Sequence, residues 1–214
     1  MSLALLGGSF DPVHRGHLQT ACDLVKLLDC EQLALLPAAH SPLKDGHAAT
    51  PQQRYQMLLL GLQECGDCAG RITVDSRELN RPGRSYTVET LRGLRAEHGP
   101  QRPLYWVLGS DSASQLDRWH DWQQLTALCH LVIVERAEQP LQAADALQTW
   151  LDRHQCDKLS TLQASPAGLV FYCRVSQLAV SSSQLRENIA NATALAQWLP
   201  NSVVQYIDQH ALYR

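Results

Sequence analysis

Short runs of consecutive apolar residues alternate along the chain with longer stretches where apolar positions recur every three or four residues. Residues 3–6 form the first run and lead directly into Gly7 and Gly8. Apolar character without interruption suits a strand buried on both faces. Between residues 17 and 28 the period changes, and Leu18, Ala21, Cys22, Val25 and Leu28 fall on one helical stripe. Residues 32–36 read as a second strand, closed by Pro37, and a polar loop follows over 38–50. Pro51 suits the first turn of the next helix, where a missing N–H costs nothing. Met57, Leu58 and Leu62 give that helix its apolar side. Further strands are predicted over 71–75, 104–108, 131–134 and 169–173. Further helices are predicted over 87–97, 142–153, 183–191 and 203–210. The segment 138–166 is polar and has the weakest pattern.

Strand–helix alternation with unbroken apolar strands predicts an α/β fold: a doubly wound parallel sheet, helices on both faces, and a C-terminal helical segment. Ligands of such sheets bind beyond the carboxyl ends of the strands. The unusual residues fall there. Gly7–Gly8, Pro37, Gly109–Asp111 and Arg136 each follow a predicted strand.

Composition narrows the class. The chain has 214 residues, 45% of them hydrophobic and 18% charged. That is enough for one full-sized core, and a single domain over 1–214 is expected. A net charge of -3 lacks the basic excess of a dedicated nucleic-acid or membrane-surface binder. No apolar run approaches the roughly 20 residues of a membrane span. The apolar N-terminus has no basic flank and reads as a strand, not a signal peptide. The 7 cysteines are odd in number and scattered, which suits reduced thiols and a cytoplasmic protein. Cys65 and Cys68 form a lone C-x-x-C without a second ligand pair, and read as incidental surface or turn cysteines.

Two constellations carry chemistry. The first is Gly7-Gly-Ser-Phe-Asp-Pro-Val-His-Arg-Gly-His17. Glycines allow close approach of backbone to ligand. A helix starting within ten residues offers free N–H groups and a positive dipole end. His14 and His17, three apart, share a face on a helical first turn, where protonation adds to their worth as donors to a polyphosphate. Taken alone, the pair also admits two solvent-facing imidazoles. The second is Val180-Ser-Ser-Ser-Gln-Leu-Arg186. Its serines suit a helix N-cap, and Arg186 lies on the first turn, so the segment makes a second anion site. Taken alone, it is also an ordinary capped helix.

The first string resembles, at every signature position, the G-G-x-F-D-P-x-H-x-G-H motif of the nucleotidylyltransferase superfamily. The second resembles its I-S-S-T-x-x-R motif, with Val180 for Ile and Ser183 for Thr. Likeness along the whole chain is to the bacterial nicotinate-nucleotide adenylyltransferase family. Arg84-Ser-Tyr-Thr87 with Glu89-Thr-Leu, Gly109-Ser-Asp-Ser112, Trp119, the strand ending in Arg136, and the tail from Val204 to Tyr213 carry it. Two positions depart: Leu43 stands in Ser41-Pro-Leu-Lys44 where histidine is usual, and Arg84 where proline is usual.

The resemblance implies a Rossmann-like fold and a reaction between ATP and nicotinate mononucleotide. It implies catalytic roles for His14, His17, Lys44 and Arg186. ATP contacts are implied for Gly7, Gly8, Ser9, Phe10, His14, His17, Gly109, Asp111, Arg136, Ser182, Ser183 and Arg186. Acceptor contacts are implied for Ser9, Lys44, Tyr86, Thr87 and Trp119. Trp119 also admits core packing, with Trp122 three residues on; Asp111 admits an N-cap role, and Lys44 and Arg54 admit solvation. No protein-held metal is expected, Mg²⁺ arriving with ATP. A phosphate monoester has a second pKa of roughly 6 and is already a competent nucleophile, so no general base is required. Neither nucleic acid nor membrane is an expected partner, and the oligomeric state stays open.

Overall fold

The computed structural model describes residues 2–38, 46–81, 83–135, 141–176, 178–189 and 195–214. Lys44 and Arg136 lie outside these residues. The elements in chain order are β1 (Leu3–Gly8), α1 (Arg15–Leu28), β2 (Gln32–Pro37), α2 (Pro51–Leu62), β3 (Ile72–Val74), α3 (Thr87–His98), β4 (Leu104–Gly109), α4 (Ser110–Ala113), α5 (Leu125–Leu128) and β5 (His130–Val134). Then come α6 (Asp145–His154), β6 (Gln155–Cys156), α7 (Leu159–Gln163), β7 (Val170–Cys173), α8 (Ser182–Asn188) and α9 (Asn201–Gln209).

All strand pairs are parallel, in the order β3-β2-β1-β4-β5-β7-β6. Alternation along the central strands explains their continuous apolar runs. Ala4, Leu33, Leu35, Tyr105, Val107 and Val132 enter one buried cluster, with side chains of α1, α2, α8 and α9. Leu3, Leu5, Leu36, Trp106, Leu131 and Ile133 enter a second cluster on the opposite face, with side chains of α3, α4, α5 and α6. Neither face of the central strands meets water, which favours apolar residues; His130 at the start of β5 is buried with hydrogen bonds to the Ser165 carbonyl and the Leu169 N–H. Leu5 is fully buried, and its truncation to alanine costs about 2–5 kcal/mol at such a site.

The chain leaves β1 toward β2 on one side, and β4 returns to pair with β1 on the other. This is the topological switch point, and its crevice lies beyond the carboxyl ends of β1 and β4. Gly7, Gly8 and Gly109 stand at those ends.

Several helix ends carry a local reason. Pro51 begins α2, and Thr50 and Gln53 cap each other's backbone N–H groups. Gly99, at φ 77°, closes α3. The 142–153 prediction loses its first turn, because α6 begins at Asp145. The 183–191 prediction shifts too: α8 spans Ser182–Asn188, with Ser181 as N-cap. Four short elements, α4, α5, β6 and α7, have no counterpart in the sequence prediction. No described helix is long and apolar enough to cross a membrane.

The reading of Cys65 and Cys68 as turn or surface residues is corrected for Cys68, which is buried. Its thiol donates to the Cys22 carbonyl, and Cys22 lies within side-chain reach of both. Burial pushes the Cys22 thiol well up, so it stays protonated and packs as a small apolar side chain.

Candidate active site

The turn after β1 is shaped by contacts that only small residues permit. A Cβ on Gly8 would lie 2.9 Å from the Phe10 ring, and one on Gly7 would lie 3.2 Å from the Trp106 ring. Phe10 adopts φ 47°, a left-handed conformation, and is buried beneath the turn with its ring edge toward His17. The Asp11–Pro12 peptide is cis.

His14 is not inside the helix but is its N-cap, with extended backbone at φ -140° and ψ 167°. The His17 N–H donates to His14 Nδ1 and the His14 N–H donates to His17 Nδ1, both at 3.3 Å. This is a capping box built from two imidazoles. With Nδ1 of each ring accepting, the neutral ring carries its proton on Nε2, and Nε2 is its donor. The rings stack 3.6 Å apart, and Gly16 makes room for them, since a Cβ there would lie 3.0 Å from His14 Nδ1. A second proton, on Nδ1, would set donor against donor at the cap.

The second motif meets this turn. Arg186 Nη1 donates to the Asp11 carbonyl at 2.7 Å, and its Nη2 donates to Ser183 Oγ at 3.3 Å. Ser182 Oγ donates to the Pro12 carbonyl at 3.0 Å. Thus His14, His17, Ser182, Ser183 and Arg186 converge, and the N-terminal end of α1 and the first turn of α8 flank one turn of backbone. Ser9 belongs to the same turn, and its carbonyl accepts from Arg54 Nη1 at 2.7 Å.

The remaining expected residues stand apart from that cluster. Gly109 caps α4 and Asp111 lies exposed in its first turn, so Asp111 is not the N-cap. Tyr86 is the N-cap of α3 and Thr87 its first residue, with no side-chain cap supplied. The Tyr86 ring lies 4.6 Å from that of His120. Trp119 is half-buried against the cluster that holds α3, and its Nε1–H is buried without a hydrogen-bond partner among the described residues. Ser85 Oγ is likewise buried and unpartnered. The two motifs therefore sit on one face of the sheet and Tyr86, Thr87 and Trp119 on the other, with the glycine end of β1 between them.

A family model described as cytidylyltransferase-like matches residues 5–188. A probable nicotinate-nucleotide adenylyltransferase of Sodalis glossinidius is 39% identical over 212 residues, covering 99% of this chain and 96% of that protein. One of Marinomonas sp. is 37% identical, covering 99% of this chain and 94% of that protein. This chain belongs to the nicotinate-nucleotide adenylyltransferase family. The fold agrees with a Plasmodium falciparum nicotinic acid mononucleotide adenylyltransferase solved in complex with NaAD, at TM-score 0.76 and 17% identity, covering 99% of this chain and 97% of that one.

For a nicotinate-nucleotide adenylyltransferase, three residues to which the sequence reading gave no site role prove central to the site's architecture. Arg54, open to a solvated reading, is fully buried, and its Nε and Nη2 find no partner among the described residues. Burial pulls its acidity toward the neutral form, and nearby Asp11 opposes that. Asp11 is 3% exposed, and Tyr213 Oη donates to its Oδ1 at 2.8 Å. The signal for Arg54 was weak but present, since it lies three residues before Met57 and four before Leu58, on the apolar side of α2. Nothing local marks the pairing of Asp11 with Tyr213.

Proposed function

We propose that this chain transfers AMP from ATP to nicotinate mononucleotide, releasing pyrophosphate and forming deamido-NAD for NAD biosynthesis. The observation that carries the reading is the 2.7 Å hydrogen bond from Arg186 to the Asp11 carbonyl. It joins two motifs 175 residues apart into one anion site. An arginine fork and the start of α1 both favour phosphate oxygens.

The acceptor phosphate attacks the α-phosphorus of ATP, forming a new P–O bond as the bond to pyrophosphate breaks. The chain's part is alignment and charge stabilisation. Well-oriented reactants gain roughly 7–11 kcal/mol of barrier reduction, and preorganised donors add to it. His14 and His17 offer Nε2–H donors from a rigid mutual cap. Ser182, Ser183 and Arg186 receive the departing phosphates, and Lys44 and Arg136 complete the charge. Gly7, Gly8, Ser9 and Phe10 shape the turn under the nucleotide, and Gly109 and Asp111 border it at the end of β4. ATP comes as its Mg²⁺ complex. Asp11, the one acid in the turn, spends its carboxylate on three internal donors and leaves the ion to phosphate and water. The reaction is placed in the cytoplasm, away from membranes and nucleic acid.

The acceptor is read on the other side of the crevice. The uncapped start of α3 at Tyr86 and Thr87 favours a carboxylate, and Trp119 offers a ring face and an unpaired N–H. An amide would bring an NH₂ donor against backbone donors. Ser9 and Lys44 serve the acceptor phosphate. The test is to measure kcat/KM for nicotinate mononucleotide, nicotinamide mononucleotide and phosphopantetheine with one enzyme preparation. A strong preference for the nicotinate form is expected. Equal use of the amide, or a preference for it, rejects the named acceptor.

A further inference from the structure

The last residues of a chain are ordered only where something ties them down. Here Ala211 and Tyr213 both take left-handed backbone, at φ 49° and 62°. For residues with a Cβ this conformation is strained. Leu212 is buried in the same core cluster as α1, and the turn brings the Tyr213 hydroxyl to Asp11. The opposing strain is met by one well-formed contact at the centre of the molecule.

Asp11 is a hub. Its Oδ2 accepts from the Ala48 N–H at 2.7 Å, and its Oδ1 from the Ala49 N–H at 3.1 Å and from Tyr213 Oη at 2.8 Å. All three hydrogen-bond partners are uncharged, and the buried Arg54 guanidinium nearby supplies the opposite charge. The Asp11 carbonyl holds Arg186, and the carbonyls on either side of it, Ser9 and Pro12, hold Arg54 and Ser182. His14 follows three residues later. Displacing the Asp11 side chain therefore moves the peptide that both motifs share.

We propose that Asp11 is a positioning residue for the phosphate-binding turn, and that Tyr213 is the latch that fixes it. Neither touches substrate; both act through His14 and Arg186. The proposal deepens the adenylyl-transfer reading and rests on it for its activity arm.

Tyr213→Phe removes the hydroxyl and keeps the ring. Losing a hydrogen bond to a charged group corresponds to roughly tenfold in an equilibrium or rate. The expected result is a kcat about tenfold below wild type per folded enzyme, with KM for ATP and for nicotinate mononucleotide within about twofold. Asp11→Asn is expected to lower kcat further, because its NH₂ faces a donor in either orientation. Adding Tyr213→Phe to it should then cost little more. Tyr206→Phe, on the same tail, is the control and should keep wild-type kcat. Hydrogen exchange at the Ala48 and Ala49 amides gives a readout independent of turnover, and it should quicken in Tyr213→Phe. Unchanged kcat, a loss explained wholly by a smaller folded fraction, or additive single losses would overturn the proposal. A wild type that exchanges as described but makes no dinucleotide would instead reject the adenylyl-transfer reading, leaving the amide exchange to decide the latch.

Discussion

His14 and His17 cap each other: each backbone N–H donates to the other ring's Nδ1 at 3.3 Å, and the rings stack 3.6 Å apart. A helix start ordinarily spends a serine or aspartate on this task. Using imidazoles adds an Nε2 donor to each capping group. The same bonds that satisfy the first turn of α1 fix the orientation of the groups proposed to meet phosphate.

The two roles can be separated. Asparagine is among the best N-caps. His14→Asn should therefore keep thermal stability within about 1 kcal/mol of wild type. Its turnover should fall by at least about a hundredfold, the usual cost of a lost transition-state donor. Calorimetry and initial rates on one preparation check this. Near wild-type turnover would return His14 to a purely structural role.

Gly16→Ala opposes two effects. Alanine favours the helix by up to about 1 kcal/mol. The added Cβ would lie 3.0 Å from His14 Nδ1 and 3.1 Å from Val180 Cγ1. Overpacking of this kind costs about 1–3 kcal/mol. Crowding should win, giving a lower melting temperature, and the shifted imidazole should cost roughly tenfold or more in kcat. A stabilised, fully active variant would show that the turn relaxes freely.

Arg186→Ala should weaken ATP binding and also loosen the turn, because the guanidinium holds the Asp11 carbonyl and Ser183. Arg186→Lys keeps the charge but not the planar fork. Lysine should recover part of the ATP affinity but little of the turnover. Titrating ATP against both variants, beside initial rates, distinguishes the two. Full rescue by lysine would mean that charge alone matters.

Glu78 predicts a pH dependence of stability. It is 5% exposed on the face that holds α3, and Thr90 Oγ1 donates to its Oε1 at 2.7 Å. Burial raises its pKa above the ordinary 4.5, outweighing Thr90 and Arg81. An acid raised in the folded state contributes stability below its unfolded pKa and loses it as pH rises through the folded value. At pH 7 the charged group is therefore a net cost. Glu78→Gln keeps the Thr90 contact and should raise the melting temperature at pH 7, the gain fading toward pH 4. Thermal unfolding across that range tests it; a gain that grows on acidification would contradict the sign.

The sheet was legible because burial on both faces leaves strands such as β1 and β4 as unbroken runs without a charged residue. The two anion motifs were legible because each is contiguous. What escaped lay in short or distant elements. β6 has two residues and α4 four, too few for any period to register. The 3.6-residue pattern of α2 placed Met57 and Leu58 inward and put Arg54 on the same side, but an arginine there reads as readily as a solvated one. Tyr213 and Asp11 are 202 residues apart, and only the closed fold brings them together. Ser181 is the serine that caps α8, a choice that three consecutive serines cannot reveal.

The two borders of the sheet carry a separate consequence. β3, at one side, has three residues and β6, at the other, has two. An exposed strand border is a template on which another chain can add its own backbone. Borders this short offer so few unpaired groups that a second molecule gains little by docking there. The long, apolar strands that are prone to such growth, β1, β4 and β5, are each enclosed by neighbours on both sides. The strand order thus guards a crowded, concentrated solution of this protein against sheet-to-sheet polymerisation, a hazard that its core composition alone would invite.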